Sequence, residues 1–550
     1  MRSFLIVIIV CALSLPTRWV QAATMRTSDS VHVVVGNGAP ASCTETTLAT
    51  ALAQGGNITF NCGSAAHTIN FTTYRQIGQA STLDGGGLIT LSGNKVTSLF
   101  QVFFGGSLTL NNLTLANSLG KDGFGSIDNF GRLTMSNVRM ENNNGNGFSG
   151  GAITNHGRVD ISDSIFFNNI ITGSLNGGAI FSDGGTVNLT RTQIMSNTAH
   201  YGGGISIFGG TFNANNLIMR QNFGFDGGGM WLNQNITATI QQSEFSGNTA
   251  QYGGGLEISG KLVMTNTTIS GNKADNDGGG IWFLNSSDTS QLHSVTLYEN
   301  QATNGGALNL NGGLVVMKNS ALTGSTSVSS TLCAGDVITA DVTNIASDGT
   351  CGASTTSGDI RLEPLANNGG FTQSHLPTVK SSLIDVVTTC PSVDQRGVAR
   401  PKGNRCDVGS VEFVPSTAIF LPASLREYTP PFNGRAELEP NNSLDTANGL
   451  LQSNVPCIGF PDDLNDYYSF TSSTAGQISV SLNGHIGANT NNLQLQLRNA
   501  SNALIVFVFK APFNINVANL PAGTYYVRVF YAAPGPYNNS APYTLQVVYP

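Results

Sequence analysis

Two groups of side chains have types and spacings suited to chemistry. The first is an oxygen-rich cluster towards the C-terminal end. Glu437, Glu439, Asn441 and Asn442 arrive as E-x-E-x-N-N, and Asp463 with Asp466 follow about twenty residues later. Ca2+ takes six to eight hard oxygen donors in flexible geometry, and this set can provide them. The same residues also fit a solvated acidic linker. The second group falls at matched positions of a period of roughly 25 residues. Trp231, Glu257 and Trp282 hold one position in successive copies, while Tyr201, Asp226, Tyr252 and Asp277 alternate at another nearby. Aromatic faces along a polar surface stack on sugar rings, and carboxylates between them bind hydroxyls or cations. The alternative is that large side chains merely shield stacked backbone.

Catalysis on a polysaccharide, by a lyase or a glycoside hydrolase, needs acidic, Arg or Lys groups from neighbouring units on one face. The first position reads Asp128, Thr154, Phe181, Ser206, Trp231, Glu257, Trp282, Asn309, and no two carboxylates are adjacent. The second reads Asn176, Tyr201, Asp226, Tyr252, Asp277, Asn304, which sets its two Asp residues two units, about 10 Å, apart. The repeats contain no Asn-Thr-Asp, paired Asp-Asp, Gly-His-Gly or Arg-Ile-Lys of the polygalacturonase kind. No peptidase signature occurs either. The enzymatic reading therefore stands as the alternative to polymer binding, with a purely structural envelope protein third. His156, His200 and His293 do not align in the repeat and read as surface or turn residues.

The period that positions these residues is carried by two signals in phase. Gly150-Gly151-Ala152-Ile153 recurs as Gly177 to Ile180, Gly202 to Ile205, Gly227 to Met230, Gly253 to Leu256, Gly278 to Ile281 and Gly305 to Leu308, with closing residues 27, 25, 25, 26, 25 and 27 apart. An apolar residue with Asn three later keeps step: Met140/Asn143, Phe166/Asn169, Ile194/Asn197, Met219/Asn222, Phe245/Asn248, Ile269/Asn272 and Leu297/Asn300. Segments between the glycines alternate with period two, as in Val159-Asp160-Ile161-Ser162, and turn residues punctuate them every five to eight positions. Helical solenoids need long 3.6-period stretches, and none is present. The expectation is an all-β chain. A right-handed parallel β-helix stacks its coils at about 4.8 Å, and a small antiparallel β-sandwich follows it. The closing aliphatics make one interior row and the apolar residues of the second motif another. The Asn residues are expected to take left-handed backbone and to form a ladder in which each contributes about one hydrogen bond.

Composition and charge narrow the setting. Charged residues are 10% of 550 and Gly numbers 66, a balance that suits a repetitive β protein with a bland surface. Arg2, an apolar run from Phe4 to Leu15 and Val20-Gln21-Ala22 form a Sec-type export signal over residues 1–22. Loss of Arg2 and Arg18 with that leader takes the net charge from -7 to about -9. The acidic surface argues against nucleic acid and anionic lipid. No later run reaches the roughly 18 apolar residues of a membrane span, so the mature chain is expected to be secreted or held at the cell surface without a transmembrane helix. Seven cysteines remain beyond the leader. Proximity pairs Cys43 with Cys62, Cys333 with Cys351 and Cys390 with Cys406, and leaves Cys457 as a buried apolar cysteine or a reactive thiol.

The expected organisation is a signal at 1–22, an N-terminal cap at 31–70, the β-helix at 71–340, a C-terminal cap at 341–413, a proline-containing linker at 414–435 and the sandwich at 436–550. Thr44 to Gln54, with Leu48 and Leu52 at i, i+4 and Gly55 beyond, reads as a short cap helix.

Three resemblances extend this. Asn367-Asn368-Gly369-Gly370-Phe371-Thr372-Gln373, Asp394-Gln395-Arg396-Gly397, Arg400-Pro401 and Asp407-Val408-Gly409 resemble the choice-of-anchor Q domain, found at the C-terminal end of bacterial β-helix surface proteins, where it closes the helix. Glu439-Pro440-Asn441-Asn442-Ser443, Asp466-Tyr467-Tyr468-Ser469-Phe470, Pro521-Ala522-Gly523-Thr524-Tyr525-Tyr526-Val527 and Tyr543-Thr544-Leu545 resemble the bacterial pre-peptidase C-terminal domain, a β-sandwich similar to collagenase collagen-binding modules. That resemblance implies calcium ligands at Glu437, Glu439, Asn441, Asn442, Asp463 and Asp466, with Asn442 standing where an Asp is also common. The GGAI and FxxN units are similar to those of chlamydial polymorphic membrane proteins, which are adhesins. The combined expectation is a bacterial surface protein acting in adhesion or in binding an extracellular polysaccharide or matrix polymer.

Overall fold

The computed structural model describes residues 31–120, 123–284, 288–327, 331–336, 338–340, 342–352, 355–414, 447, 450–459, 465–483, 493–509, 513–531 and 543–550. The expected export signal and nearly all of the expected linker lie outside them. The chain is nearly all β, with a parallel β-solenoid of about 12 turns and antiparallel sheets at the C-terminal end.

Register confirms the repeat reading residue by residue. Ile127, Ile153, Ile180, Ile205, Met230, Leu256, Ile281 and Leu308 pair in unbroken parallel succession, and each is fully buried. Met140, Phe166, Ile194, Met219, Phe245, Ile269 and Leu297 form the second interior row in the same way. Burying a large aliphatic side chain contributes about 1.5–3 kcal/mol, so the two rows hold the column together along its whole length.

The Asn ladder runs from Asn143 to Asn300 and is stronger than expected. Asn222 is representative. Its Nδ2 donates to Ile194 O at 2.9 Å and to Asn248 Oδ1 at 2.9 Å, while its Oδ1 accepts from the backbone N and Nδ2 of Asn197, both at 3.0 Å. The amides of Asn169, Asn222, Asn248 and Asn272 thus each make four hydrogen bonds, not one, because the carbonyl oxygen serves two donors of the preceding coil. The left-handed backbone also falls elsewhere than expected. It is taken by the residue before each ladder Asn, namely Asn142, Asn168, Ser196, Gln221, Gly247, Gly271 and Glu299, with φ between 51° and 62°. The turn is made there, and the Asn that follows points inward to bond the exposed carbonyls.

The glycine runs have two different causes. Gly227 has φ +64°, which favours a residue without Cβ. Gly228 has no such angle, but a Cβ there would lie 2.3 Å from Gly254 O of the next coil. Close stacking of coils at this corner therefore demands the second glycine.

At the N-terminal end, strand His32–Val35 pairs with Gly56–Phe60, and the helix Glu45–Gln54 covers the open edge. Thr44 caps it with a reciprocal bond pair to Thr47, and Leu48, Ala51 and Leu52 turn into the core. The Cys43–Cys62 disulfide staples helix to strand, and Cys333–Cys351 and Cys390–Cys406 also form.

Residues 359–413 lie along the side of the last coils. Thr268 Oγ1 donates to Gln395 Oε1 at 2.6 Å, Ser270 Oγ meets His375 Nε2 at 2.8 Å, and Gly409 N donates to Asn319 O at 2.7 Å. A buried charge network fixes this flank. Arg396 forks onto Asp394, Arg400 donates to the Asp407 and Gly409 carbonyls at 2.8 Å, and Glu412 Oε2 lies 3.7 Å from Arg400. The residues that carry the D-Q-R-G, R-P and D-V-G signature are thus the ones that satisfy one another's buried charge.

The C-terminal unit has two four-stranded antiparallel sheets. One orders its strands Pro456–Gly459, Tyr543–Val548, Gly476–Asn483, Phe513–Leu520. The other orders them Asn465–Ser472, Gly523–Tyr531, Leu493–Asn499, Leu504–Val508. Tyr468, Phe470, Leu495 and Val527 pack with Ile478, Val480, Ile515 and Leu545 in its core, where Cys457 is also fully buried.

Candidate functional site

The two columns singled out in the sequence lie side by side on one outer face. Ser206, Trp231, Glu257, Trp282 and Asn309 are consecutive register partners. Tyr201, Asp226 and Tyr252 are bridged in order, Tyr252 pairs with Asp277, and Asp277 is bridged to Asn304. Each column follows from the fold. Alternation puts the residue after an inward aliphatic outside, and the residue before the glycine corner flanks it.

The rings form one continuous run. Phe208 lies 6.2 Å from Trp231 and Trp231 5.5 Å from Tyr201. Tyr201 is 4.5 Å from His200, which stacks on Phe225 at 4.6 Å. Phe225 is 6.1 Å from Tyr252, and Tyr252 stacks on Trp282 at 4.7 Å. Trp231, Tyr201 and Tyr252 are half-buried, and Trp282 at 9% exposure is largely covered. The exposed rings are Phe208 and Phe225, at 50% and 41%. The sequence reading did not single these two out. Their signal was positional: Phe208 sits three residues after an inward Ile and Phe225 two before a glycine run.

The carboxylates are the more informative part. Glu257 is only 3% exposed, although its column faces outward. Trp231 Nε1 donates to Glu257 Oε1 at 3.0 Å, and Glu257 Oε2 is buried without a hydrogen-bond partner. Burial, helped by the nearby Asp226 charge and opposed by the indole bond, pushes the Glu257 carboxyl up to about 8. Burial also raises Asp226, to about 6. Asp226 and Glu257 belong to adjacent coils but to different columns. Comparing positions within a column hid this pair.

Asp277 accepts from Asn304 Nδ2 at 2.8 Å and Asn309 Nδ2 at 3.0 Å, so it is tied down by neutral amides. Further along the same face His156 sits between Asp128, 3.3 Å from its Nε2, and Asp183, 2.5 Å from its Nδ1, and stacks on Phe130 at 4.3 Å. The hydrogen bond that the imidazole donates to Asp128, with the charges of both carboxylates, outweighs burial and raises the imidazole above its ordinary value. Neither column contains Lys or Arg between Asp128 and Asn309.

Of the calcium-ligand candidates, Glu437, Glu439, Asn441, Asn442 and Asp463 lie outside the described residues. Asp466 is buried, and its Oδ2 accepts from the Tyr543 hydroxyl, which also meets the Tyr468 hydroxyl at 2.8 Å. Among the described residues no cluster of three or more His, Cys, Asp or Glu is placed to hold a metal. None of their helices is long and apolar enough to cross a membrane.

No protein-family model matches the chain, and no curated protein matches it. Among solved structures it is similar to the pre-peptidase C-terminal domain of collagenase from Bacillus anthracis, at 23% identity over 17% of this chain and 89% of that one, with TM-score 0.14. It is also similar to the enzymatically active domain of bacteriophage CBA120 tailspike protein 4, at 10% identity over 92% of this chain, with TM-score 0.21. The chain spans 65% of that domain's length.

Proposed function

We propose that the chain is an extracellular β-helix protein that binds an uncharged polysaccharide along the face carrying Trp231, Tyr201, Phe208 and Phe225. The observation that carries this reading is the unbroken run of ring contacts from Phe208 to Trp282, which leaves Phe208 and Phe225 exposed on a rigid column. Rings held at fixed spacing lose little freedom when sugars stack on them. Asp226, Asp277, Asp183 and Asp128 make the face acidic, and neither column contains Lys or Arg between Asp128 and Asn309. Polyuronates and sulfated glycans are repelled from such a surface, whereas neutral hexose polymers can donate hydroxyls to it.

Three disulfides accord with an oxidising, extracellular setting. In this reading the sandwich is a calcium-stabilised binding module that uses Glu437, Glu439, Asn441, Asn442, Asp463 and Asp466, and the whole acts in adhesion to a polymer matrix. Co-sedimentation of the leaderless chain with insoluble neutral glucans, mannans and xylans tests the binding claim against polygalacturonate and heparin. Binding to a neutral polymer that Phe208→Ala and Phe225→Ala weaken at least tenfold is expected. Binding to none of them, or equal binding by the double variant, refutes it.

A further inference from the structure

The flank formed by residues 359–413 does not close against the coils everywhere. A cleft of about 200 Å3 remains, lined by Arg220, Ser246 and Ser270 from the coils and by Leu365 and Gln373 from the flank. It opens to solvent past the exposed Gly247 and Gly271. Arg220, Ser246 and Ser270 are consecutive register partners, so three adjacent coils present them in a row. One contact at this cleft has the form of an activated nucleophile. Ser270 Oγ lies 2.8 Å from His375 Nε2, and His375 Nδ1 lies 2.8 Å from the Glu363 carbonyl oxygen. A carbonyl only accepts, so Nδ1 carries the ring proton, Nε2 is bare, and the Ser270 hydroxyl donates to it. Nucleophile, base and orienting group thus stand in the order that acyl transfer needs. Thr268 with Gln395 and Gly409 with Asn319 also tie the flank to the coils, but none of these four lines the cleft.

We propose that Ser270 and His375 form a nucleophile and base pair that hydrolyses a short-chain acyl ester bound in this cleft. The inference does not depend on the polymer-binding reading. Ser270 Oγ attacks the ester carbonyl carbon while its proton passes to His375 Nε2. The C–O bond to the alcohol then breaks, and the leaving oxygen keeps the bonding pair and takes the proton from Nε2. Water attacks the acyl group on Ser270 in the same way: its proton goes to Nε2, its oxygen bonds the carbonyl carbon, and Oγ leaves and recovers a proton. One water is consumed, and one carboxylic acid and one alcohol are released. Arg220, whose Nη2 donates to Glu244 Oε1 at 3.0 Å, supplies positive charge for the oxyanion formed in each half. Ligand sites of ordinary size are about 300–1,000 Å3, so this cleft limits the acyl group to a few carbons.

The arrangement also fixes a pH dependence. Nε2 must be unprotonated to act as the base. Glu244 and Glu299 face the imidazole from the coils, Arg220 holds Glu244, the Tyr298 ring lies 4.4 Å away, and the flank contributes the Glu363 carbonyl. Burial outweighs the carbonyl and the two carboxylates and moves the imidazole below its ordinary value. Activity should therefore be full at neutral pH and fall along one acid limb below pH 6.5.

The test uses the full leaderless chain with p-nitrophenyl acetate, p-nitrophenyl palmitate and a fluorophosphonate probe. Hydrolysis of the acetate is expected, with kcat/KM at least about tenfold above that for the palmitate and with the single acid limb. Ser270→Ala and His375→Gln should each lose at least about 100-fold in kcat, with melting curves to confirm folding. The fluorophosphonate should phosphonylate Ser270 of the wild-type protein, located by peptide mass spectrometry. A serine that only ties the flank to the coils would not react, and this readout needs no variant. No hydrolysis of the acetate together with no labelling overturns the proposal. Labelling at another residue, or hydrolysis kept by Ser270→Ala, places the reaction elsewhere and also overturns it. Neither result bears on polymer binding by the aromatic face.

Discussion

The indole Nε1 of Trp231 donates to Glu257 Oε1 at 3.0 Å across two neighbouring coils, and this contact sets the character of the face. It joins the aromatic run to the buried acid, so the ring that would meet a sugar also determines which carboxyl oxygen keeps the proton. Stacking at a 25-residue period brings the two residues together, although 26 positions separate them in sequence.

Glu257 should make stability depend on pH in a defined direction. Its folded carboxyl titrates near 8 and its unfolded one near 4.5. Between these values the folded chain holds the extra proton. The stabilisation from this group is therefore complete below about pH 4.5, declines as pH rises, and is gone above about 8. Glu257→Gln cannot titrate and should lose that part of the slope, melting several degrees above wild type at pH 9. Differential scanning calorimetry at pH 5, 7 and 9 checks this, and parallel curves for the two proteins would contradict it.

The interior and exterior Asn ladders should differ sharply. Asn222→Ala removes four buried hydrogen bonds and takes from the buried Asn197 backbone N its acceptor, a loss of about 3 kcal/mol. Asn213 bonds only Asn188 Oδ1, at 2.9 Å on the surface, and Asn213→Ala should cost under about 0.5 kcal/mol. Urea unfolding of the two variants measures the difference, and similar values would refute the four-bond account.

Corner residues should obey local geometry rather than residue type. Gly228→Ala drives a Cβ against Gly254 O at 2.3 Å and should cost several kcal/mol. Gly271 has φ +62°, a Cβ placed there meets nothing within 4 Å, and its column already holds Asn142 and Asn168. Gly271→Asn should therefore stay within about 1 kcal/mol of wild type by the same titration.

Much of this fold was legible because a solenoid reuses one local solution. Two motifs in phase determined both interior rows and the glycine corner, and proximity along the chain paired the cysteines of the three disulfides. What escaped was whatever depends on neighbours outside a single column. The positive φ beside each ladder Asn belongs to residues as different as Ser196, Gln221 and Glu299, so composition does not mark it. The neighbouring of Asp226 and Glu257 arises between columns, and nothing within the outward column marks Glu257 as buried. The docking of residues 359–413 on the flank likewise depends on contacts more than 100 positions apart, such as Thr268 with Gln395.

Flank attachment should hinge on Arg400. Arg400→Met leaves Glu412, Asp394 and Asp407 buried without its charge and should cost about 3–5 kcal/mol. Hydrogen exchange should then rise at Gln395 and Gly409 before it rises in the interior rows, and uniform protection would contradict this.

Calcium removal should act on the sandwich alone. EDTA is expected to lower the melting transition of residues 436–550 within the full chain and to leave the β-helix transition where it was. A calorimetric trace unchanged by chelation and by added Ca2+ would rule out the proposed site.

The most direct measurement of the central claim is tryptophan fluorescence. Trp231 and Trp282 are the only tryptophans beyond residue 22, so the leaderless chain reports from this face alone. Titration with soluble neutral polysaccharides should give a saturable change in emission that Phe208→Ala and Phe225→Ala weaken, and polyuronates should give none. Emission unmoved by every neutral polymer, or moved equally by charged ones, would contradict the account.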